Sequence, residues 1–117
     1  MREEVLPFTG ITKANTGEFN MHAEDYQNQA KLLMLPTCKD LNYLTLGLNS
    51  EAGEVADIVK RLIRGDVNFI DKHDLALELG DCLWYISMIA ELTGITLSDI
   101  MSKNLTKLTE RQEKGRK

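Results

Sequence analysis

Two pairs of acidic residues have the spacing of a carboxylate metal site. Each pair has its carboxylates three residues apart, as Glu51-Ala-Gly-Glu54 and as Glu78-Leu-Gly-Asp81. On an α-helix this spacing separates two side chains by about 60° of arc and about 4.5 Å of rise, so both project from one face. Carboxylates that converge inside an apolar bundle need a cation to neutralise them. The two pairs therefore predict a divalent metal site.

The ligand types narrow the choice of metal. Ligation by oxygen alone, without His or Cys, favours the hard ion Mg²⁺, with Mn²⁺ as the alternative, over zinc or iron. Ferritin-like di-iron bundles use Glu-x-x-His motifs, and neither pair here has a histidine at the fourth position. His22 and His73 lie near predicted helix starts, where they suit surface or capping positions.

The elements that must position these acids are helices preceded by an arm. Residues 1–20 combine proline and glycine with Thr and Asn and show no sustained hydrophobic period, which predicts an irregular N-terminal arm. A first helix is predicted over residues 21–35, where Pro36 ends it. Residues 21–117 would then form the single folded domain of the chain.

Three further helices are bounded by capping residues. Asp40, Asp71 and Thr96 suit the N-cap position, and Gly65 and Gly94 suit the position after a helix end. The predicted helices cover residues 41–64, residues 72 to 92 or 93, and residues 97 to about 113. No segment shows the alternation of a β-strand. The sequence therefore predicts an all-α fold, a four-helix, bundle-like domain with short connections.

The hydrophobic pattern places the acidic pairs on the inner side of two helices. At about 100° per residue, apolar residues cover nearly every direction of the third helix and leave a narrow solvent stripe that includes Ser87. Glu78 and Asp81 fall in an apolar sector of that helix. Glu51 lies within the apolar stripe of the second helix, and Glu54 lies at its border. One such motif is usually a surface feature, but two on the core side favour a buried metal site.

Two segments of the chain match a known family signature. They are LGLNSEAGEVADIVK, which begins at Leu46, and LELGDCLWY, which begins at Leu77. The first segment contains E-x-x-E, the second contains E-x-x-D, and residues 55–77 separate the two motifs. With this signature the chain resembles the MazG-like nucleoside triphosphate pyrophosphohydrolases. The resemblance extends from about residue 26 to residue 111 and makes residues 21–117 a MazG-like domain.

This resemblance implies an all-α enzyme that assembles as a homodimer or a dimer of dimers. It would hydrolyse nucleoside triphosphates, or their deoxy forms, to a nucleoside monophosphate and pyrophosphate with Mg²⁺. Carried over by motif, the metal ligands would be Glu51, Glu54, Glu78 and Asp81. The implied substrate contacts are Lys60, Tyr85, Asn104, Lys107 and Arg111. Without the resemblance, Tyr85 equally suits a core aromatic, and Lys60 and Arg111 suit ordinary helix surface.

The chemistry of the residues fits this reaction. Metal ions would bridge the acidic site and an anionic triphosphate, polarise the α-phosphate and lower the pKa of the attacking water. A carboxylate not fully committed to the metal, Glu51 or Glu54, would accept the proton of that water. Lys107 and Arg111 would offset charge on the distal phosphates. Tyr85, with Trp84 or residues of the first helix as further candidates, would contact the base.

The bulk composition excludes several function classes. A formal net charge of -4 argues against a surface that coats nucleic acid. No apolar run has the length of a membrane span, so no membrane association is expected. Two cysteines without a C-x-x-C pair suit a cytoplasmic protein.

At 117 residues the domain would gain stability from oligomerisation. Trp84 and Leu77, on the side of their helix away from the acids, favour a homodimer.

Two alternative functions stay open at this stage. One is pyrophosphate removal from a phosphoribosyl-nucleotide, which related folds perform with similar carboxylates. The other is a non-catalytic helical dimerisation or regulatory module. Such a module is expected to have lost one or more acidic positions, and all four are present in this chain.

Overall fold

The computed structural model describes residues 21–115 and contains four α-helices in this range. They are α1 (Ala23–Ala30), α2 (Leu41–Arg64), α3 (Lys72–Thr93) and α4 (Leu97–Glu113). There is no strand among the described residues, and the predicted all-α class is confirmed. None of the helices in this range has the length and apolar character needed to cross a membrane. The arm predicted over residues 1–20 lies outside the described residues.

The capping residues set the ends of α2, α3 and α4 as predicted. The Asp40 carboxylate accepts a hydrogen bond from a backbone N–H two residues on, at 2.8 Å. The Asp71 carboxylate accepts from the N–H groups of the second and third residues after it. The Thr96 hydroxyl accepts from the N–H three residues on, at 3.1 Å. Gly65 and Gly94 adopt φ of 84° and 77°, a left-handed conformation that favours glycine and ends α2 and α3.

The first helix is shorter than predicted. α1 ends at Ala30, and the chain continues as a 3₁₀ turn over Lys31–Leu33 and a second 3₁₀ turn over Pro36–Cys38. The indole N–H of Trp84 donates to the carbonyl oxygen of Ala30 at 3.1 Å. In a continuing α-helix that carbonyl would accept from the N–H of Met34, which instead donates to Lys31. The prediction of one helix to residue 35 is therefore wrong, because a distant side chain takes part in ending it.

The core lies where α1 and the start of α2 meet the second half of α3. α2 and α3 pack side by side as a helical hairpin, α1 lies on α3, and α4 contacts α1. The buried cluster consists of Ala30, Cys38, Leu44 and Met88, with Tyr26, Met34, Trp84, Tyr85 and Ile89 packed against it. This small core leaves much of the α2–α3 hairpin uncovered in a single chain.

The buried side of α3 differs from the predicted one. Ser87, predicted to face solvent, is completely buried, whereas Leu79, an apolar residue of the same helix, is 50% exposed. Trp84 packs on the core cluster instead of facing outward with Leu77, which is 56% exposed. A helix that is apolar in most directions has several faces that can be buried. In α3 the buried face is the one that packs against α1, and it includes Trp84 and Ser87.

Candidate metal centre

Three of the four predicted acids meet at one point between α2 and α3. Glu51, Glu78 and Asp81 each offer a carboxylate oxygen, and these oxygens all lie within 4.8 Å of one another. Glu78 and Asp81 project from one face of α3 because they are three residues apart, and Glu51 approaches from the neighbouring turn of α2. These three residues are called the acidic cluster below.

Glu54 lies outside the acidic cluster. It sits on α2 less than one turn after Glu51, and its side chain is exposed. Its charge nevertheless reaches the cluster, because it is among the groups that raise the pKa of Glu51. Glu54 is therefore placed at the edge of the site.

The predicted burial of the four carboxylates is wrong for a single chain. Glu51 and Glu78 are half-buried, whereas Glu54 and Asp81 are exposed. Apolar neighbours on the same hairpin are also exposed, such as Leu79 at 50%. The cluster thus lies on a face that one chain leaves open.

The electrostatics of the cluster fit a bound cation. Burial raises the pKa of Glu51 from its ordinary value, and the charges of Asp81, Glu78 and Glu54 raise it further. This crowding of like charge disfavours the ionised form of Glu51. A divalent ion with a preference for oxygen ligands, such as Mg²⁺ or Mn²⁺, would relieve the repulsion. The residues present therefore fit the metal that their spacing predicts.

The metal-free protein should lose stability as the pH rises above about 4.5, the ordinary pKa of a Glu side chain. Because the pKa of Glu51 is higher in the folded chain than in the unfolded chain, the folded state binds more protons across that window. The free energy of unfolding therefore falls until the pH has passed the raised pKa. Chemical denaturation of the metal-free protein at a series of pH values measures this slope. The variant Glu51→Gln should show a flatter dependence, and parallel curves for the two proteins would contradict the prediction.

Tyr85 lies between the core and the acidic cluster. Its ring meets the Trp84 ring edge-on, with centroids 5.1 Å apart and planes at 88°. Burial raises the pKa of Tyr85, the neighbouring Tyr43 phenol raises it further, and Glu51 also contributes. Tyr85 therefore packs on the core and lies close enough to Glu51 for that charge to contribute to its pKa shift.

Lys60 lies on the exposed side of α2 in a local ion pair. Its ammonium nitrogen is 3.2 Å from the Asp57 carboxylate, which Arg61 also approaches at 3.2 Å. The hydrogen bond from Lys60 lowers the pKa of Asp57. Exposed pairs of this kind contribute little to stability, so Lys60 is only weakly held by Asp57.

The remaining candidate contacts lie on α4. Asn104 and Lys107 line a groove of about 500 Å³ with Ile95, Asp99, Ile100 and Lys103. Arg111 is exposed near the end of the same helix. None of the residues that line this groove belongs to the acidic cluster. A single chain therefore holds these three residues and the cluster as separate features.

Two structural roles have no counterpart in the sequence predictions. The buried amide of Gln27 donates to the carbonyl of Ile95 at 3.0 Å and accepts from the N–H of Leu97 at 2.7 Å, which ties α1 to the start of α4. Gly47 makes room for the ring of Tyr85. The role of Gln27 could have been recognised from a polar residue among the inward positions of α1. The role of Gly47 could have been recognised from a glycine in the middle of a helix, where glycine is unfavourable.

The chain is similar to known proteins over most of its length. Residues 40–115 match the family model described as the MazG nucleotide pyrophosphohydrolase domain. The Gene 37 protein of Mycobacterium phage L5 is 36% identical over 105 residues, which cover 81% of this chain and 92% of that protein. No solved structure matches the chain significantly. The matched range contains all four acidic residues and every candidate substrate contact.

Proposed function

Because the chain belongs to the MazG nucleotide pyrophosphohydrolase family, we propose that it hydrolyses nucleoside triphosphates, or their deoxy forms, to a nucleoside monophosphate and pyrophosphate. The observation that supports this most directly is the acidic cluster, whose three carboxylate oxygens lie within 4.8 Å of one another inside the matched domain. A triphosphate is itself anionic, so a site built from carboxylates can bind it only with the help of cations.

Mg²⁺ is the proposed cofactor, with Mn²⁺ as the alternative. The acidic cluster would hold the ion, and Glu54 at its edge is proposed as a further ligand. When bound, the ion would polarise the phosphate to be attacked and lower the pKa of a nearby water. The donor set supports this proposal, because carboxylate oxygens without nitrogen or sulfur ligands suit a hard divalent ion.

Glu51 and Glu54 are the proposed acceptors of the proton from the attacking water. Glu54 is exposed and lies outside the cluster, so it is the carboxylate least committed to the metal. Glu51 is the second candidate, as a carboxylate of the cluster that would lie beside the bound ion and its water. Both lie on one face of α2, because they are three residues apart.

The five residues implied as substrate contacts are proposed to bind the nucleotide. Tyr85 stands beside the cluster and offers an aromatic surface to the base or sugar. Lys60, Lys107 and Arg111 supply positive charge for the phosphates, and Asn104 lies in the same α4 groove as Lys107. Three of the five lie on α4, apart from the cluster, so we propose that a second copy of the chain helps to complete the site.

The chain should therefore form a homodimer or a dimer of dimers. Large apolar side chains on the hairpin are exposed in one chain, including Leu46 at 71%, Ile63 at 80% and Leu77 at 56%. Exposed apolar area of this kind is the usual mark of an interface. Light scattering at micromolar concentration should give the mass of two or four chains. Leu77→Glu should shift the mass towards one chain, whereas His73→Glu, exposed in the first turn of α3, should not. A wild-type mass of one chain would contradict the proposal.

The proposed activity is tested with a panel of canonical and modified nucleoside triphosphates and their deoxy forms, each with Mg²⁺ or Mn²⁺. Pyrophosphate and the nucleoside monophosphate are expected in equal amounts. Release of orthophosphate alone, or of no product from any nucleotide, would overturn the proposal. A phosphoribosyl-nucleotide in the same panel separates this activity from the related enzymatic alternative.

A further inference from the structure

The ring of Tyr85 occupies the space that a side chain at Gly47 would need. A Cβ atom built on Gly47 would lie 2.7 Å from Tyr85 Cδ1 and closer still to Cε1 and Cζ. The other glycines within described helices, Gly53 and Gly80, have no such neighbour within 4 Å. Among the glycines of the described helices, Gly47 is therefore the one whose missing Cβ leaves space for a neighbouring side chain.

The contact lies at the edge of the acidic cluster on both helices. Gly47 precedes Glu51 by about one turn of α2, and Tyr85 follows Asp81 by about one turn of α3. The Tyr85 ring also meets the ring of Trp84, which is itself held by the hydrogen bond to Ala30. The ring therefore lies against the backbone of α2 and also packs on the core cluster.

We propose that Gly47 is a positioning residue of the active site, since its lack of a side chain lets the Tyr85 ring lie against the backbone of α2 beside the acidic cluster. This proposal rests on the proposed function. It assigns a role in the site to Gly47, a residue that has no side chain to take part in the chemistry. A Cβ atom at this position would overlap the ring, so Gly47→Ala should shift the ring away from the backbone of α2. Misplacement of a substrate-positioning group by about 1 Å can reduce the rate by about 100-fold.

The test compares Gly47→Ala with Gly53→Ala, a matched change on the same helix in open space. Trp84 is the single tryptophan of the chain, so its fluorescence and near-UV circular dichroism report the position of the neighbouring Tyr85 ring. Gly47→Ala should change the Trp84 spectra and raise KM for the nucleotide about tenfold or more. Mn²⁺ affinity, measured by calorimetry without nucleotide, should stay within about twofold in both variants, because the three carboxylates are retained. Equal Trp84 spectra and KM in Gly47→Ala and wild type would overturn the proposal.

A double-mutant cycle shows whether Gly47 acts through Tyr85. In a Tyr85→Ala background the ring is gone, so adding Gly47→Ala should leave KM unchanged. Independent, additive losses of the two variants would overturn the proposal. If Gly47→Ala alone does not fold, the double variant should fold, because the steric conflict has been removed. Failure of the double variant while Tyr85→Ala folds would also count against it.

Different results would overturn the proposed function and the role of Gly47. A wild-type protein that releases no pyrophosphate from any nucleotide would overturn the function. The Trp84 spectra of the two glycine variants would still show whether Gly47 holds the Tyr85 ring. An active wild type with no response to Gly47→Ala would leave the function standing and overturn the inference alone.

Discussion

Glu78→Gln should reduce pyrophosphate release by about two to three orders of magnitude, the usual effect of removing one charged group that acts directly in a transition state. Glu78 is one of the three acids whose oxygens converge, so its loss leaves a metal ion with two ligands from the cluster. The metal-free variant should be at least as stable as the wild type. The reason is that the charge of Glu78 helps to raise the pKa of Glu51, and its removal relieves that repulsion.

The measurement pairs the rate of pyrophosphate release with Mn²⁺ affinity and thermal unfolding. Gln keeps the size of the side chain, and Glu113→Gln, exposed at the end of α4, makes the same charge change away from the site. Glu113→Gln should leave rate and affinity unchanged. A Glu78→Gln protein that loses its fold, alongside a wild type that never turns over, would support the non-catalytic helical module instead.

Gln27→Ala should lower the free energy of unfolding by about 2–3 kcal/mol, because it leaves buried polar groups without their partners. The backbone N–H of Leu97 loses its acceptor at 2.7 Å, and the carbonyl of Ile95 loses a donor at 3.0 Å. A domain of this size has a total stability of only about 5–15 kcal/mol, so the loss is a large fraction.

Urea denaturation measures this effect as a shift in the midpoint. The matched control is Asn28→Ala, the next residue of α1, whose side chain is exposed. It should change the stability by less than about 0.5 kcal/mol. Equal midpoints for the two variants would show that the Gln27 amide does not hold α1 to the start of α4.

The ends of α2, α3 and α4 could be predicted from the sequence because they depend on local hydrogen bonds. Each N-cap side chain accepts a hydrogen bond from a backbone N–H two or three residues further on, as seen for Asp40, Asp71 and Thr96. Such a contact depends only on residues that are close together in the sequence. The shared face of Glu78 and Asp81 follows from helical geometry in the same way. That these two acids meet Glu51 depends on the packing of α3 against α2, which the two matching motifs anticipated.

The features that the sequence could not determine all depend on how one helix is rotated against another. α3 is apolar in most directions, so its periodicity allowed Ser87 to face solvent, and contact with α1 buries it instead. The same contact brings Trp84 to the carbonyl of Ala30 and ends α1 early. The packing of α2 against α3 leaves Glu54 outside the acidic cluster and brings the Tyr85 ring onto Gly47. The sequence by itself determined which residues are helical and which acids share a face, because both are local properties. Only the tertiary structure decided which faces meet, because a helix with several apolar faces is oriented by the partners it packs against.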